Sequence, residues 1–159
     1  MSSPKTAPDE SMLSRDDTAE ERSKDIIIVI DDSPANLTII CGLLKKLGYN
    51  SLSFRDPLQA LQHIESLDKE TLSHVRAIFS DFAMPGMDGI ALLKELRSTE
   101  RTRAIPFVMI TANGERDNIR QAGSLKINHY LLKPITANVI NETVAKLFPL
   151  TRIESPKPE

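Results

Sequence analysis

From residue 26 to residue 148 the apolar positions of this chain alternate between two patterns. Ile26–Ile30 is an unbroken β-branched run of strand length, and its lack of polar alternation predicts burial on both faces, as in the middle of a parallel sheet. Val75, Ile78 and Phe79 predict a second such strand, which stops at Asp81. A third run over 106–110 ends at Thr111, a short one over 128–132 ends at Lys133 and Pro134, and a further strand is expected over 51–54.

The intervening segments carry helical stripes. Ser33 and Pro34 are a good N-cap and first helical residue, Leu37, Ile40, Cys41, Leu44 and Leu47 line one face, and Gly48 is a stop. Asp56 and Pro57 open a second helix with Leu58, Leu61, Ile64 and Leu67 inward, and residues 68–74 form a polar connection. Pro85, Gly86 and Gly89 turn the chain after Asp81, and Asp88 caps a helix bearing Ile90, Leu93 and Leu96. A weaker helix over 115–125 puts Ile119 and Ala122 inward, against Gly123 and Ser124 that disfavour it. A last one from Thr136 carries Val139, Ile140, Val144, Leu147 and Phe148. Five strand-then-helix repeats predict an α/β fold: a doubly wound parallel sheet with helices on both faces and right-handed crossovers.

Residues 1–24 are rich in Ser, Pro, Thr, Asp and Glu without apolar period and read as a disordered leader; 149–159 read as a tail or the start of a linker. The 25–148 segment is then one domain. Net charge −2 and a pI near 6.0 give no broad pull toward nucleic acid or anionic membrane. The single cysteine, Cys41, lies in an apolar stripe and reads as a packed, reduced thiol, and no apolar run approaches the roughly 20 residues that span a bilayer, so the cytoplasm is expected. His63, His74 and His129 are scattered without metal-ligand spacing and read as surface residues.

The chemistry gathers at strand ends. Asp31 and Asp32 follow the first strand, Asp81 ends the third, Thr111 the fourth and Lys133 the fifth. Taken singly, each could be a cap, a turn former or a solvated charge. Together they fall on one edge of a parallel sheet, in the crevice where open α/β sheets bind ligands. Two carboxylates about 4 Å apart repel by roughly 4 kcal/mol at an effective dielectric of 20, so a positive group must offset them. Oxygen-only ligands in a wet cleft favour Mg²⁺, and Lys133 suits an incoming oxyanion.

At IVIDDSPAN, FSDFAMPGMDGIALL, VMITA and HYLLKP the sequence resembles the receiver domain of two-component response regulators, the chemotaxis-receiver type with a flavodoxin-like sheet ordered 2-1-3-4-5 and five helices. The resemblance spans residue 24 to about residue 148. It implies that Asp81 is the phosphoacceptor, taking a phosphoryl group from a phosphohistidine on a sensor histidine kinase or phosphotransfer protein. It implies that Asp32 binds Mg²⁺ directly and Asp31 through water, with Asp81 and the backbone carbonyl of Ala83 completing the protein ligands. Thr111 would bond one phosphoryl oxygen and Lys133 another, and the Lys133–Pro134 bond would be cis. Thr111 moving toward the phosphoryl would let Tyr130 turn inward, changing the face built from the 115–125 helix, the fifth strand and the last helix, where a downstream protein docks. A half-buried core aromatic is the other reading of Tyr130. Lys126 stands where many relatives have glycine, and Ala83 and Asn113 occupy positions that tune phosphoryl lifetime.

The expected function is a stand-alone receiver that signals by protein contacts and catalyses only its own phosphorylation and dephosphorylation, since no DNA-binding or other output domain follows Phe148. Three competitors are weaker. A scaffold that is never phosphorylated leaves the complete acidic set unexplained. An Asp-nucleophile phosphohydrolase needs a second carboxylate two residues on, where Ala83 stands. An FMN-binding flavodoxin needs a Ser/Thr/Gly-rich cradle where this chain has DDSPAN.

Overall fold

The computed structural model describes residues 24–112, 117, 120 and 123–148. Five strands, β1 (Ile26–Ile30), β2 (Asn50–Phe54), β3 (Val75–Asp81), β4 (Phe107–Thr111) and β5 (His129–Leu132), form one sheet ordered β2-β1-β3-β4-β5. Every neighbouring pair is parallel. Helices α1 (Pro34–Lys46), α2 (Pro57–Ser66), α3 (Lys69–Leu72) and α4 (Gly89–Arg97) lie in the connections, and α5 (Ala137–Leu147) follows β5.

Strand pleating sorts the core into two layers. Ile28, Ile30, Ile78, Phe107 and Met109 face Ala60, Leu61 and Ile64 of α2 and Leu92, Leu93 and Leu96 of α4. Ile27, Val29, Phe79, Val108 and Ile110 face Leu37, Ile40 and Leu44 of α1 and Ile140 and Val144 of α5. The apolar runs of β1 and β4 are unbroken because both faces of each strand are covered. Edge strands β2 and β5 are mostly half-buried or exposed.

The helix starts follow the expected caps. Ser33, Asp56 and Asp88 each accept a backbone N–H from the first turn that follows, with proline first in α1 and α2. Several details differ from the sequence expectation. The 68–74 connection contains α3, a single turn capped by Asp68, whose side chain accepts from Thr71 N–H at 2.7 Å. Leu58 is 49% exposed, and Pro57 and Ala60 fill the inner face instead, because a helix opening at Pro57 rotates position 58 outward. His74 is no surface residue: its Nδ1 lies 3.2 Å from the buried Asp25 carboxylate. Of the helix expected over 115–125 most lies outside the described residues, and Asp117 and Arg120 within it are helical. The leader (apart from Lys24) and the tail also lie outside them.

Candidate functional site

The chain reverses its direction of progress across the sheet between β1 and β3, and the crevice outside a parallel sheet opens at such a point. Asp31 is the residue that follows β1, and Asp81 is the last of β3. Ser80 sits across from Ile30 and Ile110 across from Asp81, so neighbouring strands end level with one another. Asp31 N–H donates to Phe54 carbonyl at 3.1 Å and Phe82 N–H to Ile110 carbonyl at 2.9 Å, which carries the ladder one residue past the strand ends and fixes the rim.

Asp31, Asp32 and Asp81 converge there, each offering a carboxylate oxygen within 4.8 Å of the others. Asp31 is 1% exposed and Asp81 3%, while Asp32 is half-buried. At that spacing a pair of carboxylates repels by about 3.5 kcal/mol at an effective dielectric of 20. Lys133 Nζ offsets part of this at 2.9 Å from Asp81 Oδ1. Its position is fixed by the main chain: Lys133 N–H donates to Thr111 carbonyl at 2.9 Å, tying the ends of β4 and β5 together, and the following Lys133–Pro134 peptide is cis. Thr111 is buried at the end of β4, its hydroxyl donating to Ala112 carbonyl at 3.0 Å.

Two further expected participants are more exposed than the carboxylates. Ala83 is exposed two residues past Asp81, in the loop where the backbone turns toward α4. Tyr130, paired with Met109 in the ladder, is 49% exposed. The structure adds one residue that the sequence reading passed over. Asn36 Nδ2 donates to Asp31 Oδ2 at 3.1 Å. Its only sequence signal is its place in the first turn of the helix that opens beside Asp31.

The turn after Asp81 is shaped by close approach. Gly89 N–H donates to Phe82 carbonyl at 2.8 Å, and a Cβ at Gly89 would meet Asp81 carbonyl oxygen at 2.8 Å. Gly86 has φ +83°, the left-handed conformation that glycine adopts without penalty.

Residues 27–145 match the family model described as response regulator receiver domain. The chain belongs to the response regulator receiver family. Over 123 residues this receiver is 37% identical to the chemotaxis protein CheY of Pseudomonas aeruginosa, spanning 77% of this chain and 94% of the relative. It is 35% identical to CheY-3 of Vibrio cholerae over the same length, spanning 77% and 90%. Among solved structures it is similar to the receiver domain of a sensor histidine kinase from Pseudomonas aeruginosa, at TM-score 0.67 and 30% identity, covering 79% of this chain and 98% of that one. That domain was solved with a magnesium ion coordinated in its active-site cleft. The receiver is thus of the CheY-like type, which serves two-component phosphotransfer signalling, and receivers of this family interact with histidine kinases or phosphotransfer proteins. Among the described residues no helix is long and apolar enough to cross a membrane.

The acidic cluster suits a hard divalent cation. All its donors are oxygens, two carboxylates are withdrawn from water, and the surviving repulsion is relieved by a cation.

Proposed function

We propose that this receiver accepts a phosphoryl group on Asp81 from a phosphohistidine of a sensor kinase or phosphotransfer protein, and signals through protein contacts in the cytoplasm. The observation that carries the proposal is the pairing of Lys133 Nζ with the Asp81 carboxylate at 2.9 Å inside a cluster of three carboxylates. A structural ion pair would not need two further acidic groups beside it.

Asp81 is the nucleophile: one carboxylate oxygen forms a bond to phosphorus as the bond from phosphorus to the donor's imidazole nitrogen breaks, and the imidazole leaves. Asp32 would hold Mg²⁺ directly, Asp31 through water, with Asp81 and the Ala83 carbonyl completing the protein ligands. Magnesium bound there supplies neutralisation of charge on the phosphoryl oxygens. Lys133 exchanges its carboxylate partner for a phosphoryl oxygen, and the Thr111 hydroxyl turns from the Ala112 carbonyl to another. Tyr130, half exposed here, then turns toward the space Thr111 leaves, and the face that includes β5 and α5 presents a new shape to a downstream protein. A bias of about 1 to 2 kcal/mol between the two states is enough for phosphorylation to invert their populations.

The test is incubation with acetyl phosphate and Mg²⁺. An acid-labile phosphoryl adduct is expected on the wild type and none on Asp81→Asn; a wild type that stays unmodified, or an Asp81→Asn chain that labels equally, overturns the assignment.

A further inference from the structure

Asp31 is the most enclosed carboxylate of the cluster, 1% exposed, and donors from the start of α1 meet both of its oxygens. The backbone N–H of Ser33 donates to Oδ1 at 2.9 Å, a bond that any residue but proline would supply at that place. The second bond needs a particular side chain: Asn36 Nδ2 donates to Oδ2 at 3.1 Å. Asn36 is half-buried in the first turn of α1, and its own N–H donates to Ser33 Oγ at 3.3 Å, so the turn that caps the helix also delivers the amide to the cluster. With Asp31, Lys133, Ile110 and Pro134 it lines a crevice of about 170 Å³.

We propose that Asn36 is a positioning residue of the metal site, a role that rests on the proposed Mg²⁺ binding above. The terminal torsion of an aspartate is broad, so a carboxylate without a side-chain partner swings freely. Here Asp32 and Asp81 push it away. The Asn36 amide offsets that push with a hydrogen bond to an ionised acceptor, stronger than one between neutral groups. It keeps Asp31 oriented before the ion arrives, so binding does not have to reorder it. Hydrogen-bond partners of metal-ligating groups typically contribute about 10- to 100-fold in metal affinity, and because Asp31 would reach the ion through water Asn36 belongs at the low end of that range.

The experiment compares wild type, Asn36→Leu, Asn36→Gln and Asp32→Asn in the full chain. Mg²⁺ binding is followed by titration calorimetry, and initial rates with acetyl phosphate are measured across Mg²⁺ concentrations. Asn36→Leu, similar in shape but without the donor, is expected to bind Mg²⁺ about tenfold more weakly. Asn36→Gln keeps an amide on a longer stem and recovers most of the loss. The rate at saturating Mg²⁺ stays within about twofold of wild type, so the defect lies in the half-saturating concentration. A helix residue with a merely structural role would shift melting and leave Mg²⁺ affinity alone. Wild-type affinity in Asn36→Leu, or a fall in saturated rate at unchanged affinity, overturns the role while the proposed function stands. A wild type that binds no Mg²⁺, like Asp32→Asn, overturns both.

Discussion

Gly89 and Gly42 make opposite predictions for the same substitution. Gly89 is buried at the first position of α4, and a Cβ there would lie 2.6 Å from Met109 Sδ, 2.8 Å from the Asp81 carbonyl oxygen and 3.1 Å from Phe82 Cα. The thioether can swing aside. The two backbone atoms belong to the last residue of β3 and the residue after it, and clearing them requires α4 to withdraw by about half an ångström, stretching the Gly89 N–H bond to Phe82 carbonyl, now 2.8 Å. Overpacking of this kind costs about 1–3 kcal/mol, offset by about 0.4–1 kcal/mol from the reduced freedom of the unfolded chain. The net loss for Gly89→Ala is about 1–2 kcal/mol. Gly42 lies exposed in the middle of α1 with no heavy atom within 4 Å of a Cβ, so Gly42→Ala stabilises by about 0.5–1 kcal/mol. With an unfolding entropy of about 2.1 cal/mol/K per residue over roughly 120 ordered residues, Gly89→Ala should lower Tm by about 4–8 °C and Gly42→Ala raise it by about 2–4 °C. Differential scanning calorimetry in metal-free buffer reads both. A Gly89→Ala variant that melts at or above wild type would refute the close-approach argument, as would two shifts of the same sign.

Mg²⁺ at ten times its Kd should stabilise the folded chain by about 1.4 kcal/mol, or roughly 5 °C in Tm, and Asp32→Asn should abolish the shift; equal shifts in the two proteins would remove Asp32 from the metal site. Arg97 donates to Lys126 carbonyl at 2.7 and 3.2 Å and to Ile105 carbonyl at 2.9 Å, and burial lowers its pKa while leaving it charged. Arg97→Ala should cost about 1–3 kcal/mol, read from the urea midpoint, and an unmoved midpoint would show that water replaces the clasp without loss. Burial first, then Lys146, holds the His129 pKa below 6.5, with Glu142 opposing. The unfolded chain therefore takes up a proton near pH 6.5 that the folded chain refuses, so stability falls as pH drops through 6.5 and levels off below the folded pKa. His129→Gln should lose less stability than wild type between pH 7.5 and 5.5, and an equal or greater loss would contradict this.

Burial of the strands at 26–30 and 107–110 on both faces was legible because those runs contain no polar residue, which only a strand covered on both sides can sustain, whereas the strand order came from the family resemblance. Caps at Ser33, Asp56 and Asp88 were legible for a local reason: each bond spans two or three residues, so sequence alone contains both partners. The connection at 68–74 misled because its apolar content is a lone Leu72, too little to announce a helix; the turn is held by Asp68 and by burial of that leucine. The exposed reading of His74 failed because its partner, Asp25, is 49 residues away in the chain.

The sequence by itself determined which polar residues leave the strands on one rim, since a parallel sheet places every strand exit there. Tertiary structure alone decided how closely they meet: three carboxylates within 4.8 Å, an ammonium 2.9 Å from one of them, and an asparagine amide on another. Those distances depend on strand ends that lie level across β1, β3 and β4 and on a helix brought against Asp81 by the missing side chain of Gly89. Periodicity records which face a residue takes. The separation between residues tens of positions apart is set by packing, which no local pattern encodes.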